Sequence, residues 1–174
     1  MATFTELDWR RLDLFALVFG RGMASVEKAS WQNAMDWLSV NEYETVLLDF
    51  SSGISPVVEQ LGHQLKWVEN FGYELLATSR NLAALNDGFD FEVPDEGGLC
   101  ILIENLSEAL VEDRSWSDGF LSIISEHSLR HLACGRRFFA LLQVMDGESP
   151  EVGHVYENLS VPYPFPLLPG TAAA

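Results

Sequence analysis

The chain has 174 residues, nearly half of them apolar, and sets 26 acids against ten Lys and Arg for a net charge of −16. The apolar share is enough for a sizeable core and excludes a wholly disordered chain. The charge excludes the cationic patch that nucleic acid or an anionic membrane surface requires, and it favours encounter with a basic protein.

Taken in chain order, the first apolar run is Leu12 to Phe19, predicted as a strand and too short to span a membrane. No basic region stands before a longer apolar stretch, so no secretory leader is expected and the expected location is the cytoplasm. A helix is predicted from Ser25 to Leu38, with Val26, Ala29, Met35 and Leu38 near one face. Val46–Phe50 is the next strand. Ser55-Pro56 is predicted to open a helix that runs to about Val68, as N-cap and first helical residue. Leu82, Leu85 and Phe89 recur at helical spacing. Leu99–Ile103 is a third strand. Ser115 to Cys134 carries Trp116, Phe120, Ile123, Ile124 and His127 in one stripe, and Gly135 is placed to end that helix in the left-handed region. Phe138–Val144 is the last strand. The strands are near-continuously apolar, as in a parallel sheet covered on both faces. The expected fold is therefore α/β: a three-layer arrangement with a parallel sheet of three to four strands flanked by helices. Residues 12–38 and 46–68 form a faint strand–turn–helix repeat, closing on Trp37-Leu38 and Trp67-Val68. Cys100 and Cys134 both sit in apolar runs and are expected to be buried free thiols. From Val161 the chain alternates Pro with Tyr163, Phe165 and Leu, a pattern expected to be extended.

Few constellations carry catalytic chemistry. Ser25-Val26-Glu27-Lys28 matches the Ser-x-x-Lys of acylating enzymes without its companion Lys-Thr-Gly; it reads as a helix N-cap with a surface Lys. His127 and His131 have zinc-compatible i, i+4 spacing but no accompanying Glu pattern, and they read as structural. Asp49 and Glu104 are predicted at the C-terminal ends of strands, where α/β proteins place their sites. A small α/β enzyme could be built on them, although no Gly-rich phosphate loop follows either strand. Neither a cofactor nor a metal is expected. On the helix through Leu82 and Leu85, Ala83, Asp87 and Asp90 share a separate face, and Glu92, Asp95 and Glu96 follow. That makes a local acidic strip.

From about residue 45 to 145, the order of elements and the segment Asn81-Leu82-Ala83-Ala84-Leu85-Asn86-Asp87 resemble the barstar family of intracellular ribonuclease inhibitors, whose members carry Asn-Leu-Asp-Ala-Leu-Trp-Asp there. The resemblance implies a barstar-like domain over 44–146, an N-terminal β-α extension over 1–43 packed on the same sheet, and a Pro/aromatic tail over 147–174. It also implies that the protein is not an enzyme. It would be an immunity protein or antitoxin that occludes the basic active site of a nuclease, a ribonuclease toxin first among candidates. Asp87 matches the acid that takes the place of an RNA phosphate, a task suited to a carboxylate facing Arg, Lys and His donors. Tyr73, Asn81, Ala83, Asn86, Asp90 and Glu92 complete the implied partner-binding set. The family's first acid is Ala83 here and its Trp is Asn86, a change that fits a different toxin. A non-inhibitory protein-binding module on the same fold is the alternative.

Overall fold

The computed structural model describes residues 11–145; the Pro/aromatic tail from Val161 lies outside them. Four strands, β1 (Met23–Glu27), β2 (Tyr43–Asp49), β3 (Gly98–Glu104) and β4 (Phe138–Val144), form one sheet in the order β1-β4-β3-β2, every pair parallel. Seven helices are described: α1 (Leu12–Leu14), continued by a π-helical turn through Phe19, α2 (Trp31–Val40), α3 (Ile54–Gln64), α4 (Trp67–Phe71), α5 (Leu82–Gly88), α6 (Leu106–Glu112) and α7 (Arg114–Ala133).

The two faces of the sheet feed two apolar clusters. Leu99, Ile101, Ile103, Phe138, Ala140 and Leu142 point to one side, where α3 to α7 cover them. Cys100, Leu102, Phe139 and Leu141 point to the other, where α1, the π-helical turn and α2 cover them with Leu12, Ala16, Leu17, Trp31, Ala34, Trp37 and Leu38. The period-2 alternation of the strands makes both faces apolar, and each must be buried. The connection from β1 to β2 crosses the whole sheet in one direction with α2 on the second face. The connections from β2 to β3 and from β3 to β4 step back with their helices on the first. Reversing both direction and face keeps all three crossovers of one hand, as right-handed connections require.

The N-terminal region differs from its sequence-based expectation. Leu12 to Phe19 is helical, and the strand is Met23–Glu27. A short apolar run does not distinguish strand from buried helix by periodicity; here Leu12, Ala16 and Leu17 are buried at helical spacing. Ser25 consequently lies within a strand and caps no helix, and α2 begins only at Trp31. The faint repeat does not survive in space. The first β-α unit ends with its helix on the opposite face from α3, and β1 and β2 stand at opposite edges. Gly53, not Ser55, precedes α3, which stops at Gln64; Lys66 adopts a left-handed φ of 49° and turns the chain into α4. The α7 stripe and the left-handed Gly135 are as expected, with Asp113 capping α7 by accepting from Trp116 N at 2.9 Å. Cys100 is buried, which pushes its thiol pKa up, but Cys134 at the end of α7 is exposed.

One buried polar hub fastens the N-terminal segment to the sheet. The Asp13 carboxylate is wholly buried and accepts from Arg11 Nε (3.0 Å) and Nη2 (2.7 Å), Tyr43 Oη (2.6 Å), Leu14 N (2.8 Å) and Arg137 Nη1 (3.4 Å). Burial pushes the Asp13 pKa up, but Arg11 and Tyr43 outweigh it, and the group ends below its ordinary value. Burial and the neighbouring Asp13 charge raise the Tyr43 hydroxyl. Asp13→Ala would remove the acceptor that a buried phenol and two half-exposed guanidinium groups share. We expect it to lower the unfolding free energy by about 1–3 kcal/mol, read as a reduced urea midpoint at unchanged slope.

Candidate partner-binding surface

The residues expected to meet a partner lie on α5 and its flanks. Asn81 precedes the helix without a side-chain cap bond, Ala83 and Asp87 are exposed on it, and Asn86 is half-buried. The helix ends at Gly88, so Asp90 and Glu92 follow in irregular chain, both exposed. Their neighbours Phe89, Phe91 and Val93 are buried, and this alternation keeps the two acids outward beyond the helix end. None of Asp87, Asp90 or Glu92 is ion-paired among the described residues, whereas Asp95 is held by Arg136 at 3.2 Å.

Three contacts hold α5. At its start, Leu82 packs against Gly119 of α7, so closely that a Cβ on the glycine would lie 2.5 Å from the leucine. At its end, a Cβ on Gly88 would lie 2.5 Å from the Trp67 ring and 2.9 Å from the Phe71 ring. Gly88 has no left-handed φ; it is needed because two aromatic rings of α4 close on it. Beneath the helix, His127 of α7 packs against Phe89 (5.2 Å between ring centres), and its Nε2 lies 3.0 Å from the Asn86 carbonyl oxygen. A carbonyl only accepts, so Nε2 carries the proton and donates. Burial lowers the pKa of His127 and, beside it, of His131.

Tyr73 joins this surface through the aromatic rings. The rings of Trp67 and Phe71 meet at a tilt of 36° with centres 4.4 Å apart, and Tyr73 stands edge-on to Trp67 at 6.2 Å. Phe71 and Tyr73 are 44% and 48% exposed. Sequence reasoning named Tyr73 but did not assign Trp67 and Gly88 to the site; the i, i+4 spacing of Trp67 and Phe71 was the available signal. The side-chain Oδ1 of Asn86 is buried without a partner, as is Nε1 of Trp67.

The other candidate chemistry is engaged elsewhere. Asp49 and Glu104 do stand at strand C-termini, and each carboxylate meets donors of the chain itself. Asp49 accepts from Asn105 Nδ2 (2.7 Å), Ser51 N (2.9 Å) and Ser51 Oγ (2.9 Å), bonds that lower its pKa, the Asn105 bond most. Glu104 accepts from the Trp31 indole at 2.7 Å. Among the described residues no group of three His, Cys, Asp or Glu is placed to hold a metal, and no helix is long and apolar enough to cross a membrane. No known family model, curated protein or solved structure matches the chain.

Two expectations follow. Gly88→Ala should be destabilising by up to about 2 kcal/mol, the overpacking penalty less the better helix propensity of Ala, measured by chemical denaturation. The two histidines have folded pKa values below the ordinary 6.5. Their contribution to stability is therefore present above pH 6.5 and is lost as pH falls through the lowered values. A titration of unfolding free energy should drop in that window, and His127→Gln should flatten it.

Proposed function

We propose that this protein is a barstar-like inhibitor, an immunity protein or antitoxin, that binds the basic active site of a nuclease and occludes it. The observation that carries the reading is the unpaired acid series Asp87, Asp90 and Glu92. It runs from the last turn of α5, a helix held by three contacts, into the irregular chain that follows, and it lies on the same side as the exposed rings of Phe71 and Tyr73. Acids without their own cations attract a basic cleft and steer its approach, and a net charge of −16 extends that pull. Rigid aromatic side chains next to them offer contact area at small entropic cost. Asp87, exposed in the last turn of α5, takes the place of a substrate phosphate, accepting charge-assisted hydrogen bonds from the nuclease's Arg, Lys or His. Asn86 stands where the family carries Trp, and its short side chain shapes the surface for a different toxin. A ribonuclease is the first candidate, and the cytoplasm, where such a toxin would act, is the place proposed for the complex. The mechanism is steric and electrostatic occlusion, with no bond made or broken by this chain. The bonds that Asp49 accepts from Ser51 and Asn105, and that Glu104 accepts from the Trp31 indole, weigh against the alternative of a small enzyme built on those two acids.

The test is co-expression with the product of the adjacent gene. Co-purification with loss of a nuclease activity is expected. Asp87→Lys should then weaken the complex by about 2–5 kcal/mol, on the order of 30-fold or more, while circular dichroism and melting stay as in the parent. Unchanged affinity for the nuclease would remove Asp87 from the interface.

A further inference from the structure

Beside the acidic strip, the chain between α3 and α5 folds over a groove of about 470 Å³. Its walls include Val58, Leu75, Ala77 and the buried indole of Trp67. Val68 and Leu76 are among its lining residues and are 53% and 56% exposed, and the exposed Phe71 and Tyr73 lie between them in the chain. Four large apolar side chains thus face solvent within nine residues, whereas most of the other large apolar side chains among the described residues are buried; a concentration of exposed apolar surface of this kind marks an interaction site. The rim is acidic: Glu59, Glu69 and Glu74 line it. Glu69 and Glu74 have no basic partner among the described residues, and Glu59 has only the exposed His63 at 3.9 Å.

We infer that this groove docks a basic segment of a protein partner, whose apolar side chain enters between Val68 and Leu76 while its Lys or Arg residues meet Glu59, Glu69 and Glu74. Charge complementarity selects that occupant. An acidic segment would be repelled by three carboxylates, and a second copy of this chain would bring −16 against −16. The volume suits one or two large side chains rather than a folded surface. Trp67 makes the groove continuous with the proposed nuclease interface, since it lines the groove and its ring lies against Gly88, the residue after Asp87. The inference rests on the reading that the partner is a basic protein, and it adds a second anchor point outside the Asp87 strip.

The test reads the groove directly. The ¹⁵N-labelled full chain is titrated to millimolar concentration with an acetylated, amidated peptide Lys-Lys-Leu-Phe-Lys-Lys. Two controls accompany it: Lys-Lys-Ser-Ser-Lys-Lys, and Glu-Glu-Leu-Phe-Glu-Glu. Saturable shifts of the Trp67 indole and of the Val68 and Leu76 amides are expected with the first peptide alone. Glu69→Lys combined with Glu74→Lys should weaken that binding about tenfold or more. Leu76→Ser, at an exposed position and so without cost to folding, should abolish saturation. Asp87→Lys should leave the peptide affinity unchanged, so loss of nuclease inhibition and loss of groove binding are read separately. Equal response to the Ser peptide would reduce the effect to charge alone. Equal response to the Glu-flanked peptide would reduce it to unspecific apolar adhesion. Either result, or the absence of saturable shifts, overturns the assignment.

Discussion

A parallel sheet whose inner strands are apolar on both faces is not stable in water until both faces are covered. In this protein β3 and β4 carry that demand. Leu99, Ile101, Ile103, Phe138, Ala140 and Leu142 require one layer of helices, and Cys100, Leu102, Phe139 and Leu141 require another. The two layers come from different parts of the chain. Residues 54–133 supply the first, and residues before β2 supply the second, tied down by the buried Asp13 carboxylate that joins Arg11, Tyr43 and Arg137. The edge strand β1, running beside β4, also occupies a ladder that would otherwise be open to pairing.

The candidate surface is a consequence of that layering. Because α5 lies in the first layer against α7 and α4, its inward side is committed to Leu82, Leu85 and the His127 contact, and its outward side is left to Ala83 and Asp87. Gly88 lets Trp67 and Phe71 close on the helix end, and this brings exposed aromatic area next to exposed acids without any long side chain having to be ordered. A surface fixed in this way spends little further conformational entropy on meeting a partner. The same helix layer leaves the α4 groove open beside it, so apolar and acidic features share one side of the molecule.

Much of the fold was legible in the residues. Three of the strands, the long α7 stripe and the left-handed Gly135 follow from apolar runs, helical periodicity and a glycine stop. The N-terminal segment was not legible, because Leu12–Phe19 is apolar enough for either a buried strand or a buried helix. What decides it is tertiary: the burial of Leu12, Ala16 and Leu17 against the sheet and the capture of Asp13 by distant Tyr43 and Arg137. The short strand Met23–Glu27 was hidden by the mixed pattern Met-Ala-Ser-Val-Glu, and α6 left too few residues between β3 and α7 to stand out. Of the candidate site, the exposure of Ala83 and Asp87 was legible from helical spacing, whereas Asp90, expected on the same helix face, is exposed because it alternates with buried Phe89 and Phe91 beyond the helix end. The role of Gly88 was not legible, since it depends on rings seventeen and twenty-one residues earlier in the chain. The exposure of Cys134 likewise depends on where α7 ends, which its apolar neighbours do not reveal.

The proposed inhibition requires that the side bearing α5 be the face that meets a basic nuclease. Amide hydrogen exchange of the full chain, alone and in complex with the nuclease that co-purifies with it, tests this most directly. Protection on complex formation is expected to concentrate in residues 81–92 and in 67–76, with α2 and the outer edge of β2 unchanged. Protection confined to α2 or to the β2 edge, with 81–92 exchanging as in the free protein, would contradict it.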